Sequence, residues 1–263
     1  MTDPRTSPPA RPDHPRGRAF DDLARSYNFR YAGERSHIFT DLLVDECRRL
    51  ARPSRVLDIG CGGGIECDLG LTRRVSEACD ELWGVEPDPK MPEPPGIFAS
   101  YQHALLETAA IPDASIDLAY SFMVMEHVQD PEGFMRAVHR VLKPGGVYMF
   151  MTINARHYFA RLAGTLRRIK ADEGLLRLLR GKREVEEYHY PVAYKINRPE
   201  TIEPVARAVG FETPSYVFME KNGPEPYLKG PLRPVLWAMN WKRGVVKNPR
   251  ALLELVCRVR KPA

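Results

Sequence analysis

The stretch VLDIGCGGG, residues 56–64, constrains this chain more than any other. An apolar run closes on an acid, and four glycines then fall within five residues. A short apolar run of this kind reads as a buried strand. Glycines at that density let the backbone turn tightly and come close to a ligand. GIECDLGLTRRVSEA (64–78) then reads as a helix starting at the glycine turn, and ELWGVE (81–86) as a second strand. Strand, turn, helix and strand make a βαβ unit, which implies a parallel sheet and a right-handed crossover.

The remaining segments extend the same alternation. HIFTDLLVDECRRLA (37–51) has apolar residues at helical spacing and is closed by Pro53. PDPKMPEPPG is too rich in proline for a regular helix, so the crossover to a third strand, IFASY (97–101), is expected to be an extended loop. IDLAYSFMV (116–124) is a fourth strand and the turn after it. DPEGFMRAVHRVL (130–142) is a helix with Asp130 as N-cap and Pro131 at its first position, stopped by Lys143-Pro144-Gly145-Gly146. VYMFMTI (147–153) is a fifth strand. Regularity then breaks until PETIEPVARAVGF, a helix ended by Gly210. PSYVFME (214–220) and ALLELVCRVR (251–260) supply two closing strands.

Two ligands compete for the glycine turn. A dinucleotide fingerprint, GxGxxG/A, needs a small third residue so that helix and strand pack closely. Counted from Gly60, that position is Ile65, which argues against a pyrophosphate and against an NAD-dependent oxidoreductase. The turn is instead preceded by Asp58, a carboxylate suited to an ammonium or sulfonium cation. Glu86, at the end of the second strand, can accept hydrogen bonds from a ribose diol or stand as a solvated turn acid. No lysine occurs in or beside the turn to hold a phosphate.

VLDIGCGGG (56–64), GVEPD (84–88), IPDASIDLAYSFMVMEHVQDP (111–131) and RVLKPGGVYMF (140–150) together resemble the class I S-adenosylmethionine-dependent methyltransferases, in particular the type-11 or ubiquinone/menaquinone-biosynthesis-like branch. The resemblance implies an α/β fold: a doubly wound, Rossmann-like, mostly parallel sheet of seven strands with the last antiparallel. S-adenosyl-L-methionine would lie across the strands' carboxyl ends. Asp58, Gly60 and Gly62 would shape the turn and hold the methionyl part, with Cys61 a small residue that fits inside it. Glu86 would take the ribose hydroxyls, His103 and Ala104 would flank the adenine, and Phe122 would border the cofactor. His103 stands where family members often carry an acid.

Methyl transfer from a sulfonium is an in-line displacement in which alignment of the acceptor supplies most of the rate, roughly 7–11 kcal/mol of the barrier. A general base adds about 10²–10⁴-fold when the acceptor is a hydroxyl. His127, just beyond the fourth strand, and His157, after the fifth, are the candidate bases; His127 also reads as a structural hydrogen-bonding residue and His157 as surface or packing. Tyr158, His189 and Tyr190 are candidate substrate contacts, and each also reads as packing. The expected reaction is transfer to oxygen of a small molecule, a saccharide or a lipid-linked intermediate. The alternative is a methyltransferase fold that binds without turnover.

Charge is uneven along the chain, at +7 over 155–183 and +8 over 226–263 against +5 for the whole. The first basic segment is also rich in Leu and Ala, and the second carries Trp237 and Trp241. Each reads either as a solvated face or as peripheral contact with an anionic membrane. Nucleic acid is not expected, since SFMV stands where an NPPY- or DPPY-like signature would. Residues 1–18 are expected to be a disordered tail, 19–154 the cofactor-binding core, 155–198 a helical cap that selects the substrate, and 199–263 the rest of the core. Five scattered cysteines without a CxxC pair suit a reducing cytoplasm and neither a zinc site nor a disulfide framework.

Overall fold

The computed structural model describes residues 20–25, 29–31, 33–157, 192–221 and 252–263, together with Pro234, Trp237 and Trp241. The expected tail and most of the expected cap, Tyr158, His189 and Tyr190 included, lie outside these residues.

The elements in chain order are α1 (Phe20–Arg25), β1 (Phe29–Tyr31), α2 (Arg35–Cys47), β2 (Arg55–Ile59), α3 (Leu69–Ser76), β3 (Glu81–Val85), β4 (Ser100–Gln102), β5 (Ile116–Phe122), α4 (Pro131–Val141), β6 (Leu142–Ile153), α5 (Pro199–Val209), β7 (Ser215–Lys221) and β8 (Glu254–Arg260). The sheet runs β1-β7-β8-β6-β5-β2-β3-β4. Its pairs are parallel except where β8 lies antiparallel to β6 and β7. Seven strands make the expected frame. An eighth, the three-residue β1, extends it along β7, and its shortness hides it from periodicity.

Apolar residues on both faces of the strands explain the two-sided covering. Phe39, Leu43, Val75, Leu118 and Met149 are buried on the face carrying α2 and α3, and Leu57, Ala119, Val138, Phe150 and Ala206 on the face carrying α4 and α5. The Asp130 side chain accepts from the Gly133 amide at 3.1 Å and caps α4, and Gly210 ends α5 in the left-handed region.

Several boundaries differ from expectation. Helix α3 begins at Leu69, not at Gly64, because Glu66 and Cys67 take left-handed conformations (φ 53° and 60°) and Asp68 then caps the helix. Helix α2 stops at Cys47. β4 is Ser100–Gln102, with Ile97 and Phe98 in the preceding loop, where Ile97 is buried as a plug. Strand β6 starts at Leu142, so the Lys143–Gly146 stretch already belongs to it.

β2 pairs with β3 on one side and β5 on the other, which makes its carboxyl end the switch point of the sheet. Ligands of open α/β sheets bind in the crevice at that point.

Candidate active site

Four strand ends meet there. β2 delivers Asp58 and the glycine turn, β3 delivers Glu86, β4 leads to His103 and Ala104, and β5 delivers Phe122. Asp58 is paired in register with Tyr120 of β5, so both side chains leave the same face of the sheet. The Tyr120 hydroxyl donates to Asp58 Oδ2 at 2.7 Å, and both groups are buried. Burial pushes the Asp58 carboxyl up to about 7, opposed by the Tyr120 hydrogen bond and assisted by the nearby Glu86 charge.

Glu86 secures the turn. Its Oε2 accepts from the Gly62 amide at 2.8 Å and its Oε1 from the Asp88 amide at 2.9 Å. Each oxygen keeps a further lone pair, and the two together match a vicinal diol. The turn is further tied to β3 by the Gly60 and Cys61 amides, which donate to the Val85 carbonyl. At Gly60 (φ 72°) a β-carbon would stand 2.6 Å from Val124 Cγ2, so only glycine lets the loop after β5 close on the turn. Cys61 is buried, and burial raises its thiol far above the ordinary range, which makes it an inert packing group.

The β4 side of the crevice is more open. His103 is exposed and meets Tyr101 edge-on, with ring centroids 5.1 Å apart, and Ala104 is half-buried. The Met91 methyl lies 3.7 and 3.8 Å from where β-carbons on Gly62 and Gly63 would be, so the proline-rich loop reaches over the turn. Phe122 is half-buried against Phe39, with the Arg35 guanidinium 5.8 Å from its ring centre. Arg35 is itself bonded to Glu66 at 2.8 Å.

These residues fit S-adenosylmethionine. A buried carboxylate stands ready for a cation, a two-oxygen acceptor for the ribose, and a glycine turn, its one side chain Cys61 buried, for the methionyl group. The N-terminus of α3 is separated from the turn by residues 65–68. The Gly60, Cys61, Gly62 and Gly64 amides are spent on Val85, Glu86 and Cys61, which leaves the Gly63 amide as the turn's donor for an anionic group. Sequence reasoning missed Tyr120, Val124 and Met91. A tyrosine inside a fully buried parallel strand needs a partner for its hydroxyl, and that is the signal which could have found the first.

The loop after β5 carries a second buried polar group. Glu126 follows β5 and is 3% exposed, and Thr152 of β6 donates to its Oε2 at 2.9 Å. Burial raises the Glu126 carboxyl. Asn197 donates through Nδ2 to Thr152 Oγ1. The Ala193 and Tyr194 amides donate to the Glu126 carbonyl, the Ala155 amide to the Asn197 carbonyl, and Lys195 to the Gln129 carbonyl. Both roots of the expected cap, 154–157 and 192–198, are therefore stitched to each other and to the loop after β5. His127 lies half-buried in that loop. His157 is 1% exposed, with its Nε2 3.2 Å from Glu220 Oε1 of β7. The two histidines expected as bases thus sit differently, one at the loop and one sealed between strands.

Residues 31–213 match a family model described as a methyltransferase domain, and the chain belongs to this family, the S-adenosylmethionine-dependent methyltransferases. It is 32% identical over 166 residues to the ubiquinone biosynthesis O-methyltransferase of Rhizobium leguminosarum bv. trifolii, covering 60% of this chain and 59% of that protein. A protein of the same name from Ruegeria pomeroyi is 35% identical over 107 residues, covering 38% of this chain and 41% of its own length. The chain thus spans about 60% of the first of these relatives. In fold it is similar to the YcgJ protein of Bacillus subtilis (TM-score 0.55, 17% identity, 86% of this chain and 99% of that one). It is also similar to an S-adenosylmethionine-dependent methyltransferase of Archaeoglobus fulgidus (TM-score 0.53, 16% identity, 86% and 94%).

Proposed function

We propose that the chain transfers a methyl group from S-adenosylmethionine to an oxygen of a small molecule, a saccharide or a lipid-linked intermediate. The observation that carries the reading is the pair of buried carboxylates, Asp58 and Glu86, on either side of a turn that holds no lysine and whose one side chain, Cys61, is buried. When bound, the cofactor supplies an activated methyl carbon with a neutral thioether as leaving group. Asp58 holds the ammonium, Glu86 the ribose hydroxyls, and Phe122 closes the site toward the acceptor. His127 takes the hydroxyl proton, while His157, sealed against Glu220, positions the end of β6. The oxygen acceptor is supported by the name of the Rhizobium relative, an O-methyltransferase.

Calorimetry with S-adenosylhomocysteine tests the site, and incubation of metabolite fractions with radiolabelled donor tests the transfer. Micromolar binding and label in an alkali-stable ether product are expected. Absence of binding at millimolar ligand overturns the reading.

A second reading concerns location. Among the described residues no helix is long and apolar enough to cross a membrane. Trp237 and Trp241 are helical, four residues apart, and 71% and 63% exposed, within a segment of net charge +8. Side chains four apart share a helix face. Indole rings beside cations suit the headgroup zone of an anionic bilayer, and that is the peripheral contact inferred for this segment.

A further inference from the structure

We propose that Tyr120 is a positioning residue for methyl-donor binding, acting through Asp58: its hydroxyl fixes one carboxylate oxygen and aims the other at the donor's ammonium. The proposal rests on the reading of Asp58 as the ligand of that cation.

The geometry is fixed from three sides. Register pairing sets Tyr120 directly beside Asp58 in the neighbouring strand. The phenol ring is fully buried and meets Phe39 edge-on at 6.4 Å, so it cannot swing away. The hydroxyl reaches Asp58 Oδ2 at 2.7 Å, and no other hydrogen bond to that carboxylate is recorded among the described residues. A carboxylate inside an apolar sheet is costly to charge, and a donated hydrogen bond is what lowers the cost.

Among the described residues, the titratable groups facing Asp58 are Tyr120 from β5, Glu86 from the end of β3, Cys61 from the turn and Tyr101 from β4. None of them is a cation, so in the free protein the Tyr120 hydroxyl is the group that favours the charged form. The Asp58 carboxyl, pushed up to about 7, is then half protonated at neutral pH. Below that pH a donor ammonium must displace a proton; above it the carboxylate is already charged. Donor affinity accordingly rises with pH through 7, up to the range in which the ligand's own ammonium loses its proton.

The test is calorimetry of S-adenosylhomocysteine binding between pH 6 and pH 9 for the full chain and for Tyr120→Phe, which keeps the ring and removes the hydroxyl. A midpoint near 7 is expected for the parent. For the variant the midpoint should move up by about one pH unit, which weakens binding about fivefold at pH 7 and leaves much less difference at pH 9. Asp58→Asn should abolish the rise through 7 in either background and leave only the change at higher pH that belongs to the ligand's own ammonium. Coincident midpoints in parent and Tyr120→Phe, or a loss of equal size at every pH, would overturn the role given to the hydroxyl. A rise in affinity through pH 7 that survives in Asp58→Asn overturns it as well. If the parent itself binds no ligand at any pH, the proposed donor site fails instead. Should Tyr120→Phe not fold, 3-fluorotyrosine in place of tyrosine, a stronger hydroxyl donor, should move the parent midpoint down; an unmoved midpoint counts against the proposal.

Discussion

Val124 rests on Gly60: a β-carbon there would lie 2.6 Å from Val124 Cγ2, so the loop after β5 and the turn after β2 close against each other. Gly60→Ala should therefore cost about 1–3 kcal/mol of stability, through both the clash and the positive φ. Thermal unfolding checks the loss, and S-adenosylhomocysteine affinity should fall at least about tenfold with it. Gly63→Ala is the matched control. Its nearest neighbour is the Met91 methyl at 3.8 Å and its φ is unstrained, so only a small change in melting temperature is expected.

Glu86 carries two duties, a bond to the Gly62 amide and the diol acceptor, and a ligand series separates them. Glu86→Ala should weaken S-adenosylhomocysteine binding by about 1.5–3 kcal/mol, the worth of hydrogen bonds to a charged group. The 2′-deoxy ligand should bind parent and variant with a smaller difference. Equal losses for both ligands would leave Glu86 with the turn alone.

The two histidines divide in the same manner. His127→Asn should lower kcat about 10²–10⁴-fold while donor affinity stays unchanged. His157→Asn should act on folding, because it strips a partner from the buried Glu220, at a cost of about 1–3 kcal/mol seen as a lower melting temperature. An unchanged kcat in His127→Asn removes it as the base.

Sedimentation with vesicles checks the membrane contact. Binding should require anionic lipid, weaken as salt shortens the Debye length, and fall when Trp237 and Trp241 are both changed to Ala. Equal sedimentation with neutral vesicles removes the contact.

Donor-side chemistry was far more legible than acceptor-side chemistry, for a physical reason. β2 was read from its apolar run and observed as Arg55–Ile59, and Asp58, Gly60, Gly62 and Glu86 fall within a single βαβ unit whose pattern is local. The start of α3 differs from expectation because nothing in Glu66 or Cys67 announces a left-handed residue. Glu126, Thr152 and Asn197 meet only through strand order, across separations that periodicity does not span. Tyr120 reads as one more apolar strand residue until register sets its hydroxyl beside Asp58.

The stitching at Ala155, Ala193 and Tyr194 is made by main-chain amides to main-chain carbonyls. Such a seam is indifferent to the side chains on either side of it. It works as a graft point: a different length of chain entered at 157 and left at 192 would inherit the same neighbouring ends and the same donor pocket. Asp58, Glu86 and the glycine turn lie outside that span and would stay as they are.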